Sequence, residues 1–185
     1  MKTLFQTALE LQNFFGGKNW RFCFIGGLAL QRWGEARLTV DVDVALLTGF
    51  GCEKEFINAL LGAYPARIPD AAGFALENRV LLLKSAGGVG IDIALAGLPF
   101  EGETVQRASV FEFLPGMKLL TCSAEDLIVM KAFADRTRDW SDVESIIDRQ
   151  QEKIDKQYIM ARLSPLCDLK EAPEILSRLN NLLKK

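Results

Sequence analysis

The sequence contains no histidine. That excludes Ser–His and Cys–His nucleophilic catalysis, histidine metal sites and histidine pH switches together. Acid–base or metal chemistry must rest on carboxylates, Lys, Tyr or Cys. Cysteine is sparse. Cys23, Cys52, Cys122 and Cys167 form no CxxC pair, and three of them sit in apolar or helical patterns. They read as reduced structural thiols, not as a disulfide framework. Neither charge is in excess: 22 Lys and Arg face 24 Asp and Glu, a net charge of -2. A broadly basic nucleic-acid coat is excluded, though a local basic patch is not. No apolar run approaches the ~18 residues of a membrane span, so no membrane partner is expected. In the opening MKTLFQTALELQNFF, Gln6, Glu10 and Gln12 interrupt any signal-peptide core. A cytoplasmic location is the expectation. There is no internal repeat and no linker rich in Pro, Ser or Gly.

What remains is an ordinary globular composition. The 185 residues are 49% hydrophobic and 25% charged, enough for one compact unit with its own core. Residues 2–15 have the periodicity of an amphipathic helix ended by Gly16-Gly17, and 20–25 form a short β-rich run broken by Gly26-Gly27. LALQRW then reads as a short helix. Residues 37–47, RLTVDVDVALL, alternate as a strand, and 53–62 read as a helix. Residues 74–84 and 89–96 read as strands joined by the glycine turn AGGVG, and 104–114 as a further strand. From Ser123 onward the pattern is helical. Ser123 with Asp126 and Ser141 with Glu144 read as capping boxes, and a last helix begins near Pro173. The expected organisation is α+β: a mixed α/β core over 1–120 and a C-terminal helical subdomain over 121–185. The tail's apolar face suits either the sheet or a second copy, so a homodimer is allowed.

Asp41 and Asp43 are two apart in the strand, so both leave the same face, opposite Val40, Val42 and Val44. Burying such a pair unneutralised costs several kcal/mol. In that strand Arg37 and Thr39 share the carboxylate face, and one arginine does not neutralise two carboxylates. A hard divalent ion, Mg²⁺ or Mn²⁺, does, through oxygen ligands from the protein and from substrate phosphates. Asp92, between Ile91 and Ile93, is out of place by β-propensity. It can complete a three-carboxylate metal cluster if its strand lies beside 37–47. Gly26-Gly27 places backbone N–H groups at a helix start, where phosphate is attracted and glycine permits close approach.

Gly26-Gly27, Asp41-Val42-Asp43 and Asp92, in that order, resemble the signature of the polymerase-beta-type nucleotidyltransferase superfamily. The string Gly26-Gly27-Leu28-Ala29 … Arg37-Leu38-Thr39-Val40-Asp41-Val42-Asp43 resembles the AbiEii-like toxins of abortive-infection systems. So does SAEDLIVMKAFADRTRDWSDVESI. The likeness covers about residues 20–150. One departure is Gly-Gly where many active members place Gly-Ser, which leaves that turn without a hydroxyl of its own. The resemblance implies a minimal nucleotidyltransferase fold, a small mixed β-sheet flanked by helices. It implies that Asp41, Asp43 and Asp92 hold metal and act catalytically, and that Gly26, Gly27, Arg37 and Thr39 bind nucleotide. Lys131 would join the catalytic and nucleotide-binding residues by contacting phosphates, and Arg136, Asp139 and Asp142 would organise the C-terminal side. The expected activity moves an NMP from an NTP to an acceptor hydroxyl of tRNA or protein, with a cognate antitoxin as partner. The rivals are a small-molecule, antibiotic-type nucleotidyltransferase and a degenerate member that binds nucleotide or a partner without catalysis.

Each feature has a plainer reading. A glycine pair is most often a turn. Asp41 and Asp43 could face solvent from an antiparallel strand, and Asp92 could lie on an edge. Lys131 could pair with Asp135 at i,i+4. The run from Asp135 to Asp139 could be a solvated helix end. Trp20, Trp33 and Trp140 suit a core. The ordered conjunction of glycines and aspartates is what favours chemistry.

Overall fold

A computed structural model describes residues 2–184. It has helices α1 (Lys2–Gly17), α2 (Gly26–Trp33), α3 (Glu53–Leu61), α4 (Ala71–Asn78), α5 (Pro99–Arg107), α6 (Ala124–Ala134), α7 (Thr137–Gln150), α8 (Lys156–Lys170) and α9 (Pro173–Leu183). The strands are β1 (Phe22–Phe24), β2 (Asp41–Leu47), β3 (Val80–Lys84), β4 (Gly90–Ala96), β5 (Ser109–Leu114) and β6 (Met117–Thr121). The chain divides into two compact units. One comprises residues 1–28 and 38–122, the other 29–37 and 123–185. Helix α2 begins in the first and continues into the second.

The first unit is a single mixed sheet in the order β3-β4-β2-β1-β6-β5. The β2–β4 and β1–β6 pairs are parallel, and the others antiparallel. One sheet face carries Val42, Val44, Leu46, Ile91, Ile93, Leu81, Leu83 and Leu119 into a core with α1, α3 and α4. Leu4, Phe5, Ala8, Leu11 and Phe15 of α1 supply the helical side of that core at i, i+3, i+4 spacing. Helix α5 packs on β1 and β2 through Phe100, Thr104 and Val105.

The second unit is helical. Trp140, Val143 and Ile146 of α7 are buried, as are Ile159, Leu163 and Cys167 of α8. Helix α9 buries Ile175, Leu179, Leu182 and Leu183 and packs on α6, α7 and α8. Its apolar face is thus taken up within this unit, which the sequence left open between the sheet and a second copy. The four cysteines are free thiols, with Cys52 exposed.

Several expected elements change. The 37–47 strand begins only at Asp41, and 35–40 are irregular, because pairing with β1 and β4 extends no further back. Residues 74–84 divide into the end of α4 and β3. Asp70 caps α4 by accepting from Gly73 N at 3.2 Å, and Arg79 ends it in the left-handed region at φ 56°. Residues 104–114 likewise divide into α5 and β5. Pro99 opens α5, and Glu101 Oε2 accepts from the N–H groups of Gly97 and Leu98 at 2.7 and 2.8 Å. Strand β6 is an element the sequence reading lacks. Ser123 does cap α6, accepting from Asp126 N at 3.1 Å, but Ser141 lies inside α7, which starts at Thr137. Gly16 and Gly17 fall within the last turn of α1, and α2 starts on Gly26 instead of Leu28.

Candidate active site

Strand β2 places Asp41 and Asp43 on one face and buries Val42 and Val44 on the other. Strand β4 repeats the pattern with Asp92 between buried Ile91 and Ile93. The parallel ladder pairs Asp43 with Asp92 and Asp41 with Gly90. Paired residues on adjacent strands share a face, so all three carboxylates stand on the side away from the hydrophobic core. All three are half-buried.

The glycine turn lies against this cluster. Gly26 has φ +54°, and a Cβ there would fall 2.0 Å from Asp43 Oδ2. Only glycine fits both constraints. Gly27 N donates to Asp43 Oδ2 at 3.3 Å, so the first turn of α2 faces an anion, as a helix N-terminus favours. A Cβ on Gly27 would lie 2.2 Å from Thr39 Oγ1. The hydroxyl beside the turn therefore comes from Thr39, which also donates to Asp41 Oδ1 at 3.4 Å.

Arg67 is a member of this constellation that sequence reasoning missed. Its Nη2 donates to Asp92 Oδ1 at 2.5 Å. Burial pushes the Asp92 carboxyl above its ordinary value; Arg67 opposes that push and the nearby Asp41 charge adds to it. Among the described residues no three acidic or cysteine side chains are gathered into a ready metal cage. The donors are nevertheless all hard oxygens on one face of two paired strands, and Asp92 feels the charge of Asp41. That chemistry fits Mg²⁺ or Mn²⁺ and no soft metal.

Arg37, Lys131, Asp139 and Asp142 come together in the second unit. Arg37 donates to Asp142 in bidentate fashion, at 2.9 and 2.8 Å. Lys131 Nζ is buried and donates to Asp142 at 2.6 Å and to Asp139 at 3.2 Å. Arg136 Nε donates to Asp139 at 2.5 Å. The expected alternative partner of Lys131, Asp135, instead ends α6 and accepts from Trp140 Nε1 at 2.6 Å. Burial works to raise the Asp142 carboxyl, but hydrogen bonds and charge from Arg37 and Lys131 outweigh it and hold the group below its ordinary value. Arg37 thus lies off the carboxylate strand, and its guanidinium serves Asp142. The run after Asp135 is a knit helix start, with Asp139 and Trp140 buried.

A family model described as nucleotidyl transferase AbiEii toxin, type IV TA system, matches residues 11–166. No curated protein matches the chain. Among solved structures it is similar to an antigenic nucleotidyltransferase-like protein from Paracoccidioides brasiliensis, at 16% identity and TM-score 0.53, covering 96% of this chain and 92% of that one. It is also similar to the lincosamide antibiotic adenylyltransferase LnuA in its lincomycin-bound form, at 13% identity and TM-score 0.51, covering 75% and 92%. A third is the antibiotic-resistance factor ANT(2'')-Ia, at 14% identity and TM-score 0.51, covering 99% and 92%. At these identities the likeness is one of fold. No described helix is long and apolar enough to cross a membrane.

Proposed function

The chain belongs to the AbiEii nucleotidyl transferase family, and from that premise we propose that it moves an NMP from an NTP to an acceptor hydroxyl with Mg²⁺ or Mn²⁺ held by Asp41, Asp43 and Asp92. The observation that carries the reading is the Asp43–Asp92 register beside a glycine turn that already faces a carboxylate. When bound, the divalent ions would neutralise triphosphate charge and lower the barrier to attack on the α-phosphorus.

The chain's own residues supply the rest. The Gly26-Gly27 turn, with no side chains of its own and its backbone at the start of α2, would face the β,γ-phosphates. Thr39 offers the hydroxyl that Gly27 lacks. Asp92, with its affinity for a proton increased by burial and by Asp41, is suited to accept the acceptor's hydroxyl proton. Lys131 and Arg37 already satisfy Asp139 and Asp142, so we assign them to building the second unit and not to holding phosphate.

Membership of a family of type IV toxin–antitoxin toxins makes a toxin role the first choice, with tRNA or a protein as acceptor and a cognate antitoxin as partner. The fold shared with the lincosamide adenylyltransferase supports a second reading, a small antibiotic-like acceptor. Incubation with each labelled NTP, Mg²⁺ and either total RNA, lysate protein or an antibiotic panel separates them by which acceptor becomes labelled. No labelling with any acceptor, together with NTP binding that a chelator leaves unchanged, would instead establish a non-catalytic binding protein.

A further inference from the structure

Arg67 comes to the carboxylates from outside the named strands. Ala66 forms an isolated antiparallel bridge with Leu83, and Arg67 N donates to Leu82 O at 3.0 Å. The segment is therefore stitched to the outer edge of β3. Leu82 is in turn the register partner of Asp92. The Arg67 backbone is anchored one strand away from Asp92, and its side chain spans β3 to reach it.

Space for the guanidinium is provided by a glycine. A Cβ on Gly90 would lie 2.7 Å from Arg67 Nη1 and 3.4 Å from the Cβ of Asp41. Gly90 is the register partner of Asp41, so the guanidinium lies at the point where the Asp41 and Asp92 rows meet. The ion pair is accessible, with the Arg67 side chain 35% and the Asp92 side chain 28% exposed. An exposed pair of this kind is individually weak and readily exchanged.

We propose that Arg67 is a resident counter-cation that competes directly with the divalent ion for Asp92. The inference rests on the reading of Asp92 as a metal ligand. The Arg67 guanidinium takes one lone-pair direction of Asp92 Oδ1, and a metal ion approaching along that direction must displace it. Arg67 thus holds the like-charged cluster in place before the ion arrives, and its departure accompanies filling of the site. It acts through Asp92, as a positioning residue, and sets the divalent-ion concentration at which the site fills.

Mn²⁺ binding to the full chain, followed by loss of the free-ion EPR signal without nucleotide, tests this. Arg67→Gln removes the competitor. Gly90→Ala keeps its charge and displaces the guanidinium from the other side. Direct competition predicts tighter Mn²⁺ binding in both, on the order of fivefold for Arg67→Gln, about 1 kcal/mol, and a smaller gain for Gly90→Ala. Tightening in Arg67→Gln alone indicates a through-space charge effect and overturns the proposal, as does unchanged or weaker binding. If Arg67→Gln fails to fold, the Gly90→Ala result decides. Asp41→Asn with Asp43→Asn is the reference. Should the wild-type chain bind Mn²⁺ no better than that variant, the metal-site reading itself falls; if only the Arg67 and Gly90 variants fail to tighten, that reading survives and the competition does not.

Discussion

The two units each gather aspartates beside basic side chains, and they treat them in opposite ways. In the second unit Asp142 receives both Arg37 and Lys131, and Asp139 receives both Lys131 and Arg136. Both carboxylates are buried, and the balance holds Asp142 ionised. In the first unit Asp92 is tied to Arg67 yet remains harder to ionise than an ordinary aspartate. Its neighbours on the same face are further aspartates. A satisfied, buried cluster builds structure. A half-buried cluster with residual like-charge strain is where a ligand has most to gain.

The widest separation between the clusters should appear when each loses its carboxylates. Asp41→Asn with Asp43→Asn is expected to reduce NMP transfer by about 10³-fold or more, since several kcal/mol of charge stabilisation go with the metal. The same variant should melt at or above the wild-type temperature, because like-charge repulsion is relieved. Asp142→Ala should do the reverse to stability. It strips Arg37 of its carboxylate and leaves Lys131 with Asp139 alone, at a cost of about 3–5 kcal/mol in urea unfolding. If the first variant is the less stable of the two, the division between a functional and a structural cluster is wrong.

Lys131→Met sharpens the same contrast at smaller amplitude. The methionine preserves most of the stem packing, and Asp142 keeps its bidentate Arg37 while Asp139 keeps Arg136. The expected loss is about 1–3 kcal/mol of stability, the penalty for under-satisfied buried carboxylates. Turnover of the folded fraction should change little. A tenfold loss of turnover with unaltered unfolding would move Lys131 from architecture to phosphate binding.

The two clusters also differ in how much of them the sequence disclosed. Period-two alternation around Asp41, Asp43 and Asp92 puts each on the polar face of its strand, and the ladder then aligns them. Gly26-Gly27 was legible as a turn, but not that Asp43 and Thr39 fill the space its missing side chains would take. Arg67 carried no signal, because it lies in an irregular segment whose bridge to Leu83 exists only in the folded chain. The same limit explains α4 and α5. Ala71–Asn78 is an apolar run without clear helical phase, so its identity rests on the Asp70 cap. Gly102 inside α5 masked a start that Pro99 and Glu101 announce. In the second unit the helices were legible, but the partners of Lys131 were not. Asp135 is near in sequence, yet it lies in the left-handed residue that ends α6, and α7 brings Asp139 and Asp142 to the lysine instead.

The smallest expected effect is on the pH dependence of stability, where the two clusters should contribute with opposite sign. Asp142 is held below its ordinary value when folded. Its contribution is therefore complete above the unfolded value and is lost as pH falls through the folded one. Asp92 is pushed above its ordinary value when folded, chiefly by burial. The folded chain then holds that proton more tightly than the unfolded chain. Any stability gained this way is present below the unfolded value and disappears as pH rises through the folded one. Urea midpoints measured at intervals between pH 3 and pH 6 should thus show Asp142→Asn flattening the acid-side loss, and Asp92→Asn flattening the decline on the alkaline side of pH 4. The Asp92 contribution is the weaker, since the group is partly exposed and Arg67 already offsets part of the upward push. Equal and same-signed changes in the two variants would mean that both carboxylates occupy the same kind of environment, and the comparison between a strained and a satisfied cluster would fail at its electrostatic root.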